Sequence, residues 1–243
     1  MIPTILITRP LDAAKDFERL LYTKLGADIP CVVSPLLDIR HLSPKIDVRD
    51  VQTVFFTSAH AVRAFAKLTA ERGFVCYVVG SATGEAAHSA GFDPIEGGGS
   101  AESLAKRLLK DHLKGTILYP RGTHVAFDFA SALAPSEADF RQEIVYDQCA
   151  TALSSQAQEI LSGTYGVVLP LFSPRSATLF FDNNSWNGPL FVGAMSDKVA
   201  RTVPVADVAK LSVAEAPTTD AMLNLVERLW ADANHLEGNS SAK

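Results

Sequence analysis

The stretch Val54–Phe65, VFFTSAHAVRAF, decides how the chain is organised. Its first three residues are apolar and include two phenylalanines, which predicts a buried strand. Ala61 and Phe65 in its second half have the spacing of one helix face. Thr57 and Ser58 stand between the halves, so we expect a strand that ends, presents two hydroxyls and turns into a helix. The simplest role of Ser58 is an N-cap that binds a free amide of the first helical turn.

The same pattern comes again in Val168–Phe180, VLPLFSPRSATLF, where an apolar run ends at Ser173 and Pro174 takes a favoured first helical position. A second repeat relates two longer segments, which share seven of fourteen residues: Thr4–Phe17, TILITRPLDAAKDF, and Thr116–Phe129, TILYPRGTHVAFDF. The spacing of about half the chain is too long for a solenoid repeat, whose period is roughly 20–50 residues. We interpret it as a tandem duplication of an α/β unit.

Alternating strands and helices predict parallel sheets with helices on both faces. We expect Asp12 to cap a first helix that ends at Gly26. Ser100 is the predicted N-cap of the helix that follows three glycines, and the residues after Ala233 are expected to form a loose polar tail.

Ligands of open parallel sheets bind beyond the carboxyl ends of the strands. The candidate residues all follow predicted strands, and helix N-termini there would offer backbone amides to anions. We therefore expect two domains with facing strand ends and a cleft lined by Arg9, Thr57, Ser58, Ser81, Thr83, Arg121, Ser173, Arg175 and Ser196.

The overall composition is that of an ordinary globular protein: 243 residues, 47% hydrophobic and 20% charged. A net charge of −5 and the lack of a basic run argue against nucleic-acid binding. No apolar run approaches the roughly 18 residues of a membrane span, and the first residues read as a strand rather than a signal peptide. The three cysteines and six histidines are scattered, which suggests neither a disulfide framework nor a zinc site. We expect a cytoplasmic protein.

Common nucleotide and hydrolase motifs are missing. Gly97, Gly98 and Gly99 are not a dinucleotide fingerprint, because Glu102 stands where the third glycine is required. The sequence has no phosphate-binding loop and no nucleophile elbow. The residues alone therefore fit a non-catalytic two-lobed binding protein for a small anionic ligand as well as an enzyme. A transferase of nucleotide-activated substrates is disfavoured by the missing phosphate loop.

Seven short motifs, in their order and spacing, resemble the uroporphyrinogen-III synthase family. They are Thr8-Arg9-Pro10, Phe56-Thr57-Ser58-Ala59, Val79-Gly80-Ser81-Ala82-Thr83, Arg121-Gly122, Val145-Tyr146, Phe172-Ser173-Pro174 and Val192-Gly193.

The resemblance implies two Rossmann/flavodoxin-like parallel-sheet domains. One is discontinuous, with residues 1–34 plus 152–243, and the other comprises residues 40–146, with linker segments 35–39 and 147–151. The first strand and helix are then exchanged between the duplicated halves. The resemblance also implies a monomer that uses no metal or organic cofactor.

The implied reaction is the dehydrative cyclisation of linear hydroxymethylbilane to uroporphyrinogen III with inversion of ring D, in haem, sirohaem and cobalamin biosynthesis. The substrate would come from hydroxymethylbilane synthase. Tyr146 is the implied proton donor or hydrogen-bond donor to the departing hydroxyl, and the alternative is a linker residue that only packs its ring. The nine cleft residues and His60 are expected to bind the eight substrate carboxylates.

Two positions depart from the family pattern. Met195 lacks a hydroxyl that the family tends to have, while the neighbouring Ser196 keeps one. His60 stands where an arginine is frequent. Both departures concern individual substrate contacts.

Overall fold

The structure, a computed structural model, describes residues 2–240 and divides into two compact units. Unit 1 contains the residues up to 38 and those from 150 onward, and unit 2 contains residues 39–149. The strands are β1 Thr4–Ile7, β2 Cys31–Val33, β3 Leu37–His41, β4 Val51–Phe56, β5 Val75–Val78, β6 Pro94–Glu96, β7 Thr116–Gly122, β8 Asp139–Ala150, β9 Val167–Leu171, β10 Leu190–Ala194 and β11 Lys210–Val213. The helices are α1 Leu11–Leu25, α2 Ala59–Leu68, α3 Ser81–Ser89, α4 Ala101–Lys110, α5 Phe129–Leu133, α6 Ser155–Ser162, α7 Pro174–Asn183, α8 Asp197–Ala200 and α9 Thr219–Ser240.

Unit 1 is built on a parallel sheet with the strand order β11-β10-β9-β1-β2. Every residue of β9 and β10 is buried, as expected when helices cover both faces of a parallel sheet. Leu6 points into a core formed with α6 and α7. Its neighbours Ile5 and Ile7 point to the opposite face and pack with α1 and α9.

Unit 2 has a six-stranded sheet in the order β3-β8-β7-β4-β5-β6, and its pairings from β8 to β6 are parallel. Phe56 packs on one face with Phe65 of α2. Phe55 packs on the other face with Leu104 of α4 and Phe129 of α5. The predicted α/β class with parallel sheets is thus confirmed in both units.

The duplication is visible in the two strand orders. The repeated strands β1 and β7 hold corresponding places, because β11-β10-β9-β1-β2 matches β6-β5-β4-β7-β8. Unit 1 therefore obtains β1 and α1 from the start of the chain and β9, β10 and β11 from its last third. The exact linker segments remain a prediction.

The predicted serine caps are confirmed, and two other expectations are wrong. The hydroxyl oxygens of Ser58, Ser100 and Ser173 each accept a hydrogen bond of 3.1 Å from a backbone amide two or three residues later. Asp12 does not cap α1, because the helix already begins at Leu11. Its carboxylate lies in the first turn, where a negative charge interacts favourably with the helix dipole.

The expected loose tail after Ala233 is also wrong as far as Ser240, because α9 continues to that residue. Propagation adds one hydrogen bond per residue, so a helix nucleated by its packed turns extends readily into a polar segment. Residues 241–243, the remainder of that predicted tail, lie outside the described residues.

Candidate functional site

The carboxyl edge of the unit 2 sheet gathers several of the predicted site residues. Thr57 and Ser58 follow β4, and Ser81 opens α3 two residues beyond Val79, which follows β5. Arg121 lies next to the last residue of β7. Because β4, β5 and β7 run parallel, their carboxyl ends meet at one edge of the sheet.

Thr57 and Ser58 are half-buried, and each hydroxyl already has one protein partner. Thr57 Oγ1 lies 2.9 Å from the hydroxyl of Tyr119. Ser58 Oγ accepts the backbone N–H of His60 at 3.1 Å. Burial raises the pKa of Tyr119, whose ring stacks on Phe55 with 4.4 Å between centroids. The phenol therefore stays protonated at neutral pH.

Tyr146 is buried in the α2 face of the core, at the point of β8 that pairs with Gly122. A Cβ at Gly122 would lie 2.6 Å from Tyr146 Cζ and 2.9 Å from the Tyr146 hydroxyl oxygen. The phenol is thus packed directly against backbone. The His60 ring lies 5.9 Å away, centroid to centroid. Hydrogen bonds, chiefly from the Thr123 hydroxyl, lower the pKa of the adjacent Asp147, which therefore stays ionised.

The remaining unit 2 candidates differ in how accessible they are. Ser81 is exposed, whereas Thr83 is buried two residues further into α3. Arg121 Nε donates to Gln142 Oε1 at 2.7 Å and Arg121 Nη1 donates to the Gly122 carbonyl at 2.9 Å. Ser81 and Arg121 can therefore reach a ligand at this edge, although Arg121 also binds Gln142 and Gly122. The Thr83 hydroxyl is less accessible, because Thr83 is buried within the helix.

Unit 1 presents its own candidates at the corresponding edge. Arg9 follows β1, Ser173 and Arg175 follow β9, and Ser196 follows β10. The Arg9 guanidinium carbon lies 3.9 Å from the centroid of the Phe172 ring, an arrangement that stabilises the cation. Burial lowers the pKa of Arg9, and the Asp16 carboxylate opposes that shift.

Two of these serines have different local roles. Ser173 Oγ accepts the Ser176 amide and also donates to Ser176 Oγ at 2.9 Å, so its hydroxyl is used within α7. Ser196 precedes α8, and within residues 2–240 its hydroxyl caps no amide of that helix. Ser196 is therefore the more available donor of the two.

A further cavity of about 790 Å³ lies elsewhere in unit 1, among Phe181, Trp186, Arg201 and Asp207. These residues precede β10 or β11, so the cavity is at the amino edge of the sheet. It contains none of the predicted site residues. We favour the carboxyl edges, because the predicted hydroxyl and guanidinium groups follow the strands there and ligands of parallel sheets bind at those edges.

Among the side chains that the structure describes, no three or more of His, Cys, Asp or Glu are grouped so as to hold a metal ion. In the same part of the chain, none of the helices combines the length and the apolar character of a membrane span.

A family model described as uroporphyrinogen-III synthase HemD matches residues 18–224. The chain belongs to the uroporphyrinogen-III synthase family. It is thereby a member of a lyase family of porphyrin biosynthesis, and the resemblance identified from the seven motifs is confirmed.

Solved structures of uroporphyrinogen-III synthases have the same fold. The enzyme from Helicobacter pylori 26695 aligns with a TM-score of 0.68 at 16% identity, covering 94% of this chain and 100% of the other. A mutant enzyme from the extremely thermophilic bacterium Thermus thermophilus aligns with a TM-score of 0.53 at 15% identity, covering 94% and 99%. No curated protein sequence matched the chain significantly.

The sequence did not single out two residues of the unit 2 edge. Gly122 belongs to a recognised motif, but its contact with Tyr146 depends on a strand pairing that the motif does not contain. Tyr119 stands where the first repeat has Ile7. That exchange of an apolar residue for a phenol was the one available signal.

Proposed function

We propose that this member of the family converts hydroxymethylbilane to uroporphyrinogen III with inversion of ring D. The observation that carries the proposal is a phenol, Tyr146, packed against Gly122 at the carboxyl edge of a parallel sheet, the edge at which such sheets generally bind ligands. Family membership over residues 18–224 supports the choice of reaction.

In the proposed first step, Tyr146 assists departure of the substrate hydroxyl as water. Loss of that hydroxyl leaves an electrophilic azafulvene. A tyrosine has an ordinary pKa of about 10, so its phenol is protonated at neutral pH and can donate a hydrogen bond or a proton. The packing against Gly122 holds the phenol ring in place, and a fixed donor position is a requirement for such assistance.

In the second step the terminal pyrrole attacks the azafulvene through its substituted carbon and forms a spiro intermediate. That ring then breaks away and closes in the inverted orientation. The linear substrate also cyclises unaided without inversion, so the protein must above all hold it in the conformation that favours attack at the substituted carbon. This is catalysis by orientation.

We assign the orientation to the hydroxyl, amide and guanidinium groups of the two carboxyl edges. Those of unit 2 are Thr57, Ser58, His60, Ser81, Thr83 and Arg121. Those of unit 1 are Arg9, Ser173, Arg175 and Ser196. The net charge of −5 favours recognition by such local donors over attraction by a broad basic surface.

We also propose that the protein works as a cytoplasmic monomer without a cofactor. It would receive hydroxymethylbilane from hydroxymethylbilane synthase, and rapid transfer would limit unaided cyclisation. Neither nucleic acid nor a membrane takes part in this proposal.

The test is to supply freshly made hydroxymethylbilane in the presence of a chelator and to separate the product isomers. We expect the type III isomer. Formation of the type I isomer alone would refute the proposed function, and binding without turnover would instead favour the anionic-ligand binding protein.

Tyr146→Phe tests the role of the phenol. We expect type III formation to slow by about 100-fold or more, because hydrogen-bond or acid assistance is lost. The melting temperature should change little, since the ring remains. Tyr77→Phe is the matched control: Tyr77 is also buried, but its hydroxyl donates to Asp111 Oδ2 at 2.8 Å, at the end of α4. An unchanged rate in Tyr146→Phe would remove Tyr146 from the mechanism.

A further inference from the structure

The contact between Thr57 and Tyr119 joins residues 62 positions apart at the carboxyl edge of unit 2. Phe55 of β4 stacks on Tyr119 of β7, and Thr57 lies two residues beyond Phe55. In a strand, residues two apart point to the same face, so the Tyr119 hydroxyl extends along the sheet toward Thr57. The rest of the Tyr119 ring is buried between Phe55 and Phe129.

The oxygens of Thr57 and Tyr119 lie 2.9 Å apart, and either hydroxyl can be the donor. A phenol is more acidic than an aliphatic alcohol and is the stronger donor. Tyr119 is buried, and the Thr57 hydroxyl is its one hydrogen-bond partner among the side chains that the structure describes. The phenol is thus the better donor of the pair, and in the arrangement that we propose below it donates to Thr57 Oγ1. Each hydroxyl has a single hydrogen, so Thr57 keeps its own for another partner.

Ser58 is arranged in the same way. Its oxygen accepts the backbone N–H of His60, which leaves its hydrogen available. Two neighbouring half-buried hydroxyls thus have oxygens that are occupied by protein donors. The hydroxyl hydrogens of Thr57 and Ser58 are therefore available to a ligand. A carboxylate forms the strongest hydrogen bonds with two such donors, because it is a charged acceptor.

We propose that Tyr119 is a positioning residue that makes Thr57 a directed hydrogen-bond donor to a substrate carboxylate. The inference rests on the proposed function, because hydroxymethylbilane supplies the carboxylates. Tyr119 itself does not touch the substrate. It acts through Thr57, and Thr57 with Ser58 forms one carboxylate site.

The first test measures steady-state kinetics of Tyr119→Phe and Thr57→Val. Each change removes a hydroxyl and keeps the shape of the side chain. We expect KM to rise about fivefold in both variants, with kcat within twofold of the unmodified protein. The double variant should match Thr57→Val alone, since Tyr119 acts only through Thr57.

Direct binding of uroporphyrin III, an octacarboxylate, provides a readout that does not depend on turnover. Its Kd should weaken about fivefold in Tyr119→Phe and in the double variant. Tyr77→Phe loses a hydroxyl on the same face of the sheet but away from the edge. Tyr77→Phe should leave KM and Kd unchanged, even if it lowers the melting temperature as much as Tyr119→Phe does.

Three results would overturn the inference. The first is an unchanged KM and Kd in Tyr119→Phe, which would show a purely structural hydroxyl. The second is additive effects in the double variant, which would show that Tyr119 does not act through Thr57. The third is a chain that binds no octacarboxylate. A chain that binds uroporphyrin III through Thr57 but forms only the type I isomer would refute the proposed function and leave the carboxylate site supported.

Discussion

Replacing Gly122 by alanine tests whether the packing of Tyr146 matters for catalysis. Gly122 has no positive φ, so alanine introduces no backbone strain and the effect comes from the added methyl group alone. That methyl carbon would lie 2.6 Å from Tyr146 Cζ. Ordinary carbon contacts are about 3.5–4.0 Å, so the ring must move by about 1 Å.

The magnitude follows from two separate effects. Overpacking a filled core costs about 1–3 kcal/mol, which corresponds to a melting temperature lowered by roughly 4–12 °C for a unit of this size. A reactive group displaced by about 1 Å loses on the order of 100-fold in rate. We therefore expect type III formation to fall by about 100-fold at a temperature at which Gly122→Ala is still folded.

The assay follows the type III isomer by chromatography and unfolding by circular dichroism. Gly84→Ala is the matched control, because its methyl group would meet its nearest neighbours at 3.6 Å, an ordinary contact. Gly84 lies inside α3, where alanine favours the helix by about 1 kcal/mol. A Gly122→Ala variant that melts earlier yet keeps the full rate would refute the reasoning that the position of Tyr146 governs catalysis.

Two further predictions concern charge. Arg9→Met should raise KM at least fivefold, and an unchanged KM would contradict a role for Arg9 in binding. It should lower the melting temperature by no more than about 2–4 °C, because the cation–π contact with Phe172 contributes about 1 kcal/mol. Hydrogen bonds from Arg107 and Tyr77 lower the pKa of Asp111, so its contribution to stability is present above the ordinary carboxyl pKa of about 3.9 and is lost as the pH falls below it. Thermal unfolding followed from pH 6 to pH 3 should therefore lose less stability in Asp111→Asn than in the unmodified chain, and equal losses would contradict this assignment.

Local features of the fold were predictable from the sequence. A serine between an apolar run and a helical pattern identified the caps at Ser58, Ser100 and Ser173, since a cap depends only on the next few residues. The repeat of TILITRP in TILYPRG indicated two related parallel sheets. The cap pattern depends on neighbouring residues only, and the repeat can be seen by comparing two segments of the sequence.

The contacts that complete the candidate site were not predictable. The Thr57–Tyr119 bond and the packing of Tyr146 on Gly122 join residues that are distant in sequence. They depend on which strands are neighbours and on their register, which one sequence does not specify. The end of α9 was missed for a related reason: packing of its earlier turns outweighs the polar composition after Ala233.

The position of β1 in the unit 1 sheet has a consequence for synthesis on the ribosome. β1 is translated before unit 2, but its neighbour β9 is made only after the whole of unit 2. At about 5–20 residues per second this interval is roughly 10–30 s. During that time β1 and α1 lack the strands that complete their core, while residues 39–149 already contain every strand pairing from β8 to β6. Unit 2 can therefore form its sheet before β1 gains its neighbour β9, and β1 is enclosed only once β9, β10 and β11 have been made.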